Sequence, residues 1–378
     1  MKRFVRKLAG HVGVFLWVAG CANIVGIEDR TFEGGLPDAA PPSQLCVDYC
    51  DKVEQGCKGT NALYSSRTAC LGSCAKLEPG EVIEPIGNTV ACRMKEAQYA
   101  IDTTEPDTHC KAAGPGGSPA CGKNCDSWCT LLQKTCPKEY SAMPDCPRAC
   151  AALKDKGTFN LDDDHDGDTI QCRLEHVANA NGSPTAPASH CGHAALFSTE
   201  YCRAPQDKPP ECAEFCRFNM AGCSGDLAVY ESEKQCLAVC GALDPGKNSD
   251  REENTMGCRS YHTFNSLIDP ASHCPHTAPG GDGHCGVDQA GKTGNCVSYC
   301  TLLEKACSLP FATKYGTQAA CQVDCSSQPD AFGAAHDSKY NLSAAQRGNT
   351  LQCRLLHVSR ALSDLSECSS ALGLDACQ

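Results

Sequence analysis

The spacing of its cysteines constrains this chain more than any other feature of the sequence. The chain has 378 residues and 33 cysteines, about one residue in eleven. Beyond Cys21, the other 32 fall into four groups of eight. In every group the first three cysteines are separated by 4 and then 7 residues, and the fourth and fifth are separated by 4. The chain is therefore a tandem array of one cysteine-rich unit.

The four units predict four small domains made in an oxidising compartment. A cysteine content of this size is typical of exported proteins whose thiols are paired. Aromatic residues make up only 6% of the chain, so disulfides must compensate for a small apolar core. Because the number of cysteines is even, we expect four disulfides in each unit. The expected repeats are residues 46–121, 125–202, 212–285 and 296–377.

The predicted fold class is mainly α, with about three short helices in each repeat and irregular loops. Cysteines at i, i+4 and i+11, such as Cys46, Cys50 and Cys57, lie within about 40° of one another around an α-helix. The C-x3-C spacing of the fourth and fifth cysteines favours a second helix. A third helix is expected to begin near the sixth cysteine, after an Asn-Thr or Asp-Thr pair. The Gly- and Pro-rich segment with the last two cysteines predicts a loop.

Two C-x3-C faces on antiparallel helices can be joined by two disulfides, first cysteine to fifth and second to fourth. We also expect the seventh and eighth cysteines to close their loop locally. For the first repeat the expected pairs are Cys46–Cys74, Cys50–Cys70 and Cys110–Cys121. Eight cysteines allow 105 pairings, so this connectivity is a geometric hypothesis.

Residues 1–20 have the features of an export signal. Four basic residues among the first seven precede an apolar stretch that is too short for a permanent transmembrane helix. The stretch ends in the letters VAGC at Cys21, and small residues before a cysteine resemble a bacterial lipobox. This resemblance implies cleavage before Cys21 and a lipid on its sulfur; the alternative is an ordinary secretory signal. Residues 21–45 have no regular apolar period and predict a tether.

The repeat motif resembles that of a known group of exported proteins. It combines C-x3-C-x6-C and C-x3-C with a [GE]-[ND]-T-x-x-C-R-x-x-H segment and a P-G-G stretch ending in C-G. With the lead-in CANIVGIEDR, it resembles uncharacterised cysteine-rich repeat lipoproteins secreted by myxobacteria, over residues 1–377. The resemblance implies export and lipid anchoring at the outer membrane or the cell surface. It implies no particular biochemical activity.

Recurring histidines are the candidate metal ligands. Three repeats have a histidine four residues after the sixth cysteine, three have one just before the seventh, and Glu96 and Glu367 fill the remaining positions. Imidazole and carboxylate groups bind zinc, copper or iron. The predicted sites are His176, His190 and His193 in the second repeat and His262, His273 and His276 in the third. The alternative is that these histidines cap helices or line a wet pocket beside the disulfides.

The acidic stretch LDDDHDGDT in the second repeat predicts a weak calcium site. Asp162, Asp164 and Asp166 alternate, as the ligands of a calcium loop do. The twelfth position of that loop is Arg173, where a bidentate glutamate is needed. The alternative is a solvated acidic loop whose Asp168 caps the third helix.

Other kinds of site have little support in the sequence. The chain has no C-x2-C pair for a zinc knuckle and no C-x-x-C-H for covalent haem. Residues 286–293 match the letters of a phosphate loop, but they lie between two cysteine units rather than between a strand and a helix. No catalytic residue stands out, so the chain is expected not to be an enzyme.

Charge and organisation favour a binding role in the cell envelope. The net charge of −12 argues against a nucleic-acid partner, which needs a basic surface. Rigid repeats with loops of different length suit multivalent recognition. We therefore expect a membrane-anchored interaction protein with an unknown envelope or extracellular ligand and no obligatory cofactor. The alternative is a transition-metal protein that binds zinc or copper through its histidine and glutamate pairs.

Overall fold

The described residues form eighteen α-helices and no β-strand. The predicted mainly α fold is therefore confirmed. The structure is a computed structural model. It describes residues 41–83, 85–117, 119–162, 164–282, 284–286, 294–327, 340 and 342–378. The predicted signal peptide, Cys21 and most of the predicted tether lie outside these residues. Residues Pro42–Gln378 form one compact unit.

All repeats share four helices in a common order, and the second and fourth repeats each have a fifth. The first repeat has α1 (Gln44–Gly56), α2 (Arg67–Cys74), α3 (Val90–Asp102) and α4 (Pro106–Ala113). The second has α5 (Asn124–Thr135), α6 (Pro137–Ser141), α7 (Cys146–Ala152), α8 (Ile170–Asn179) and α9 (Ala186–Ala194). The third has α10 (Cys212–Gly222), α11 (Glu233–Ala242), α12 (Met256–Ser266) and α13 (Pro270–Thr277). The fourth has α14 (Gly294–Ala306), α15 (Ser308–Lys314), α16 (Gln318–Cys325), α17 (Leu351–Ala361) and α18 (Cys368–Ala371). The short helices α6 and α15 are additions after the first helix of their repeats.

A threonine begins the third helix of every repeat. The Thr169 hydroxyl accepts a hydrogen bond of 3.2 Å from the backbone N–H of Cys172, and the same bond recurs in the other three repeats. The threonine is therefore the N-cap. The predicted capping of this helix by Asp168 is wrong, because the Asp168 carboxylate instead forms an ion pair of 2.7 Å with Arg173.

Every repeat has the same disulfide connectivity. The first cysteine pairs with the fifth, the second with the fourth, the third with the seventh and the sixth with the eighth. In the first repeat these bonds are Cys46–Cys74, Cys50–Cys70, Cys57–Cys110 and Cys92–Cys121. The other three repeats follow the same order, so all 32 cysteines of the repeats are paired.

The expected local bond between Cys110 and Cys121 is wrong because the segment around Cys110 is a helix and not a loop. Pro106 occupies the first turn of α4, where its missing N–H costs no hydrogen bond. The buried side of α4 contacts α1, which places Cys110 beside Cys57 at the end of that helix. Cys121 then pairs with Cys92 in the first turn of α3. The repeat therefore has a fourth helix, whereas the sequence predicted three.

The repeats pack in pairs around two apolar cores. One core contains residues of the first and second repeats together with Phe218 and Leu267 of the third. The other core contains residues of the third and fourth repeats. The aromatic residue three positions after each first cysteine is buried in them. In the second repeat this residue, Trp128, donates a hydrogen bond of 3.0 Å from Nε1 to the carbonyl oxygen of Ala194, at the end of α9. The aromatic side chain thus fixes the fourth helix against the first.

Candidate metal sites

The third and fourth helices bring the recurring histidines of the second repeat together. His176 lies on α8, whereas His190 and His193 lie on α9. His176 Nδ1 and His190 Nδ1 are 3.1 Å apart. One potential ligand nitrogen from each of the three rings lies within 4.8 Å of the others. The three residues therefore form one cluster.

A backbone hydrogen bond fixes which nitrogen of His176 faces this cluster. Its Nε2 lies 3.3 Å from the carbonyl oxygen of His165, which can only accept a hydrogen bond. Nε2 therefore carries the proton, and Nδ1 presents its lone pair toward His190. Histidines that bind metals are commonly oriented in this way, through the N–H of the nitrogen that is not the ligand.

The third repeat contains a larger cluster. His262 Nδ1 lies 2.9 Å from His273 Nδ1 and 3.3 Å from His276 Nδ1. The centre of the His284 ring lies 4.4 Å from that of His262 and 4.8 Å from that of His276. The structure thus brings together the three histidines singled out in this repeat and adds a fourth.

Burial keeps the central imidazoles neutral. It lowers the pKa of His176 to about 4, with smaller contributions from the neighbouring histidines. Burial and the neighbouring histidines likewise lower the pKa of His262 to about 3. Burial also lowers the pKa of His190 and of His273. At pH 7 these rings are therefore in the neutral form, which is the form that binds a metal ion.

The nitrogen separations match those between ligands of a single metal ion. Zinc–nitrogen bonds of about 2.0–2.1 Å at tetrahedral angles place two ligand atoms about 3.3–3.4 Å apart. The Nδ1 pairs of the two clusters are separated by 2.9, 3.1 and 3.3 Å. These three pairs are therefore within a few tenths of an ångström of the separation of two ligands of one zinc ion, and a third imidazole nitrogen lies within 4.8 Å in each cluster. Imidazole is equally suited to copper.

The outer repeats have a hydrogen-bonded histidine–glutamate pair where the middle repeats have clusters. His109 Nδ1 lies 2.7 Å from Glu96 Oε2 in the first repeat. In the fourth, His357 Nδ1 is hydrogen-bonded to Glu367. The position of the third histidine is alanine in one and serine in the other. The outer pairs therefore offer two ligands each and provide an internal comparison for the middle repeats.

The disulfide between the sixth and eighth cysteines lies beside each cluster. In the second repeat, the sulfur atoms of Cys172 and Cys202 lie within 4.8 Å of a ring nitrogen of His176. Both sulfurs belong to one disulfide, so they cannot act as thiolate ligands. They lie against one side of the cluster, so its candidate metal ligands are the imidazole nitrogens.

Sequence reasoning missed three residues of these clusters. His284 and Tyr201 both lie immediately before the eighth cysteine, and this shared position was a signal that could have found them. The Tyr201 ring stacks on His176 with the ring centres 5.3 Å apart. The His165 ring lies 5.2 Å from His176, and no repeated pattern marks it.

The acidic stretch of the second repeat lacks the arrangement of a calcium loop. Asp164 is buried, with Oδ1 2.7 Å from Lys156 Nζ and with Oδ2 accepting a hydrogen bond from Asn160 N. Asp162 and Asp166 are exposed. The lysine neutralises a carboxylate that calcium would need, so the contacts disfavour calcium here. Apart from its first residue, the phosphate-loop match at 286–293 lies outside the described residues.

Together, the repeated helices and their invariant disulfides define a cysteine-rich repeat protein. Its sixteen disulfides indicate an oxidising, extracytoplasmic compartment. Within the part of the chain that the structure describes, no helix is both long and apolar enough to cross a bilayer.

Comparison with known proteins is consistent with this class. Residues 39–126 and 211–289, which contain the first and third repeats, match the BfoA family C-terminal domain. The chain is similar to the Aurasperone B biosynthesis cluster protein A of Aspergillus niger, with 37% identity over 68 residues, which are 18% of this chain and 22% of that protein. It is also similar to the Bifonsecin B biosynthesis cluster protein A of Aspergillus brasiliensis, with 35% identity over 68 residues, 18% of this chain and 23% of that protein. The chain thus spans less than a quarter of these relatives. No solved structure matches it.

Proposed function

We propose that this chain is an exported protein that binds zinc or copper at two histidine clusters, in its second and third repeats. One observation carries the proposal: several neutral imidazoles in each cluster have nitrogen atoms at the spacing of ligands to one ion. The proposed role is binding and not catalysis. In the third repeat a fourth imidazole, that of His284, is close enough to add a ligand, and a site with four protein ligands has no open position for a substrate.

Lipid anchoring at the membrane is the second part of the proposal. It is supported by the basic, apolar and small-residue pattern that leads to Cys21 and by the tether that follows. A Cys21→Ala variant is expected to move from the membrane fraction to the soluble extracytoplasmic fraction. Retention of this variant in the membrane fraction would contradict the anchor without affecting the metal sites.

Recognition of an envelope or extracellular ligand is a second candidate function. It is favoured by the cavity between the second and third repeats described in the next subsection. Four units with one connectivity and with loops of different length also support it. The net charge of −12 supports a partner other than nucleic acid.

Metal stoichiometry tests the main proposal. The oxidised protein, stripped with a chelator and then titrated with Zn²⁺ or Cu²⁺, should bind two ions per chain. A His176→Ala/His190→Ala double variant and a His262→Ala/His273→Ala double variant should each lose one ion. His109→Ala in the first repeat is the matched control and should retain both.

Cobalt spectroscopy adds a readout of ligand geometry. Co²⁺ should give absorption bands of a tetrahedral nitrogen site in the unchanged protein, and these bands should halve in each double variant. A fully oxidised protein that binds neither Zn²⁺, Cu²⁺ nor Co²⁺ would overturn the proposal.

A further inference from the structure

A cavity of about 180 Å³ lies where the second repeat meets the third, beside the histidine cluster of the third repeat, where the Tyr261 ring lies 5.2 Å from that of His262. The segment after α9 forms one side, and α12 with the segment before it forms the other. Its lining includes Phe197, Arg203, Arg251, Ser260, Tyr261 and Phe264. Aromatic, cationic and hydroxyl groups therefore meet in one half-open cavity.

Three aromatic rings give the cavity its apolar wall. The centres of the Phe197 and Phe264 rings are 6.0 Å apart, and those of the Phe264 and Phe218 rings are 4.1 Å apart. Phe197 is 37% exposed and Tyr261 is 38% exposed, which are large fractions for such side chains. Partly exposed rings around a cavity favour a ligand with an apolar, flat body.

The cavity has an excess of positive charge. The Asp168 carboxylate is occupied by Arg173, at 2.7 Å. Arg251 lies over the Tyr261 ring with its guanidinium carbon 4.3 Å from the ring centre, and it donates hydrogen bonds to neutral oxygen atoms. Arg203 is exposed and has no hydrogen-bond or carboxylate partner for its guanidinium among the described residues. Two arginines without carboxylate partners in a chain of net charge −12 favour an anionic ligand.

The Ser260 hydroxyl gives independent support for a ligand. Ser260 is only 7% exposed and lines the cavity. Its Oγ has no hydrogen-bond partner within the described part of the chain. A buried hydroxyl without a partner is unfavourable, and a ligand in the cavity would supply the missing hydrogen bond.

We propose that this cavity binds a small aromatic carboxylate with a single ring. The ring would pack against Phe197, Tyr261 and Phe264. Arg203 would supply the charge that pairs with the carboxylate, and Ser260 a hydrogen bond. The volume of about 180 Å³ favours a single ring, because a cavity of about 150 Å³ accommodates benzene.

Titration with benzoate tests this proposal on the mature protein in mild detergent, with metals removed by a chelator. Calorimetry and chemical-shift changes up to about 10 mM ligand should show one saturable site, within reach of a ligand of about nine non-hydrogen atoms. Benzamide, which has the same shape without the charge, should bind at least tenfold more weakly. Arg203→Gln should weaken benzoate binding at least tenfold and Ser260→Ala about threefold.

Arg347→Gln is the matched control, because Arg347 is an exposed arginine in the fourth repeat, and it should leave benzoate binding unchanged. Equal binding of benzoate to the unchanged protein and to Arg203→Gln would overturn the proposed site. Absence of saturable binding would also overturn it. Both results are independent of the metal sites, because the experiment contains no metal.

Discussion

The guanidinium of Arg93 in the first repeat donates a 2.8 Å hydrogen bond to the Ser127 hydroxyl of the second repeat. Arg93 is fully buried and also donates to three carbonyl oxygens of its own repeat. Arg259 and Ser298 have the same relationship between the third and fourth repeats, at 3.0 Å. A buried arginine thus joins the two repeats of each pair through neutral oxygen acceptors.

Replacing Arg93 by methionine should destabilise the first pair of repeats by roughly 3 kcal/mol or more, because several buried acceptors lose their donor together. Urea unfolding with the disulfides intact would measure this effect. Arg67→Met is the control, since Arg67 is only partly buried and forms surface ion pairs with Asp51 and Glu54. The control should leave the unfolding midpoint nearly unchanged. Equal shifts of the unfolding midpoint in the two variants would show that the buried Arg93 contacts stabilise the fold no more than surface ion pairs do.

The junction between the second and third repeats should make stability depend on pH. Glu214 lies two residues after the first cysteine of the third repeat. The same position is Ser127 in the second repeat and Ser298 in the fourth. Burial, followed by the negative charge of Asp168, raises the pKa of Glu214 to about 8. Between the ordinary glutamate pKa and this value, the folded protein retains a proton that the unfolded chain releases. Its stability therefore falls as the pH rises through this range.

Glu214→Gln should remove this pH dependence. Its melting temperature should exceed that of the unchanged protein by a margin that grows from about pH 5 to about pH 8.5, at constant ionic strength. Glu211→Gln, an exposed neighbour, is the control and should show no growing margin. A constant difference across this range would contradict the raised pKa of Glu214.

Peptide mapping of the unreduced protein should establish the disulfide order. Trypsin can cut after Lys111, which separates Cys110 from Cys121. The expected products link Cys110 to the peptide of Cys57, and Cys121 to the peptide of Cys92. The measurement is mass spectrometry before and after reduction. A peptide pair that joins Cys110 to Cys121 would restore the local bond expected from the sequence.

The third repeat should bind metal more tightly than the second, because His284 adds a fourth imidazole. His284→Ala should weaken binding at this site by about tenfold or more, while saturation still gives two ions per chain. Competition with a coloured chelator would measure both affinities. The same affinity in the variant and in the unchanged protein would exclude His284 as a ligand.

Helical spacing made part of the fold predictable. Cysteines four residues apart, such as Cys46 and Cys50, lie on one helix face, and this restricts their partners to a second face of the same kind. The helix around Cys110 was not predictable in the same way. A nearby Gly- and Pro-rich run dominates the local composition, whereas contact with α1 decides the structure. The helical state there depends on a tertiary contact that local sequence does not encode.

The histidine clusters were only partly accessible to sequence reasoning. The recurrence of His176 and His190 at fixed distances from cysteines identified them as a pair. Their meeting depends on the packing of α8 against α9, which the third-to-seventh disulfide helps to fix. His165 enters from a loop without a counterpart elsewhere in the sequence, so that only the folded chain shows its place beside His176.

The disulfides all close within a single repeat, and this has a consequence for biogenesis. A chain that crosses a membrane from its N-terminus can complete the oxidation of one unit as soon as the eighth cysteine of that unit has emerged. The search at each step is then among the 105 pairings of eight thiols and not among the far larger number open to 32. Errors made in one unit need not spread to the next, so the array can grow in length without becoming harder to oxidise correctly.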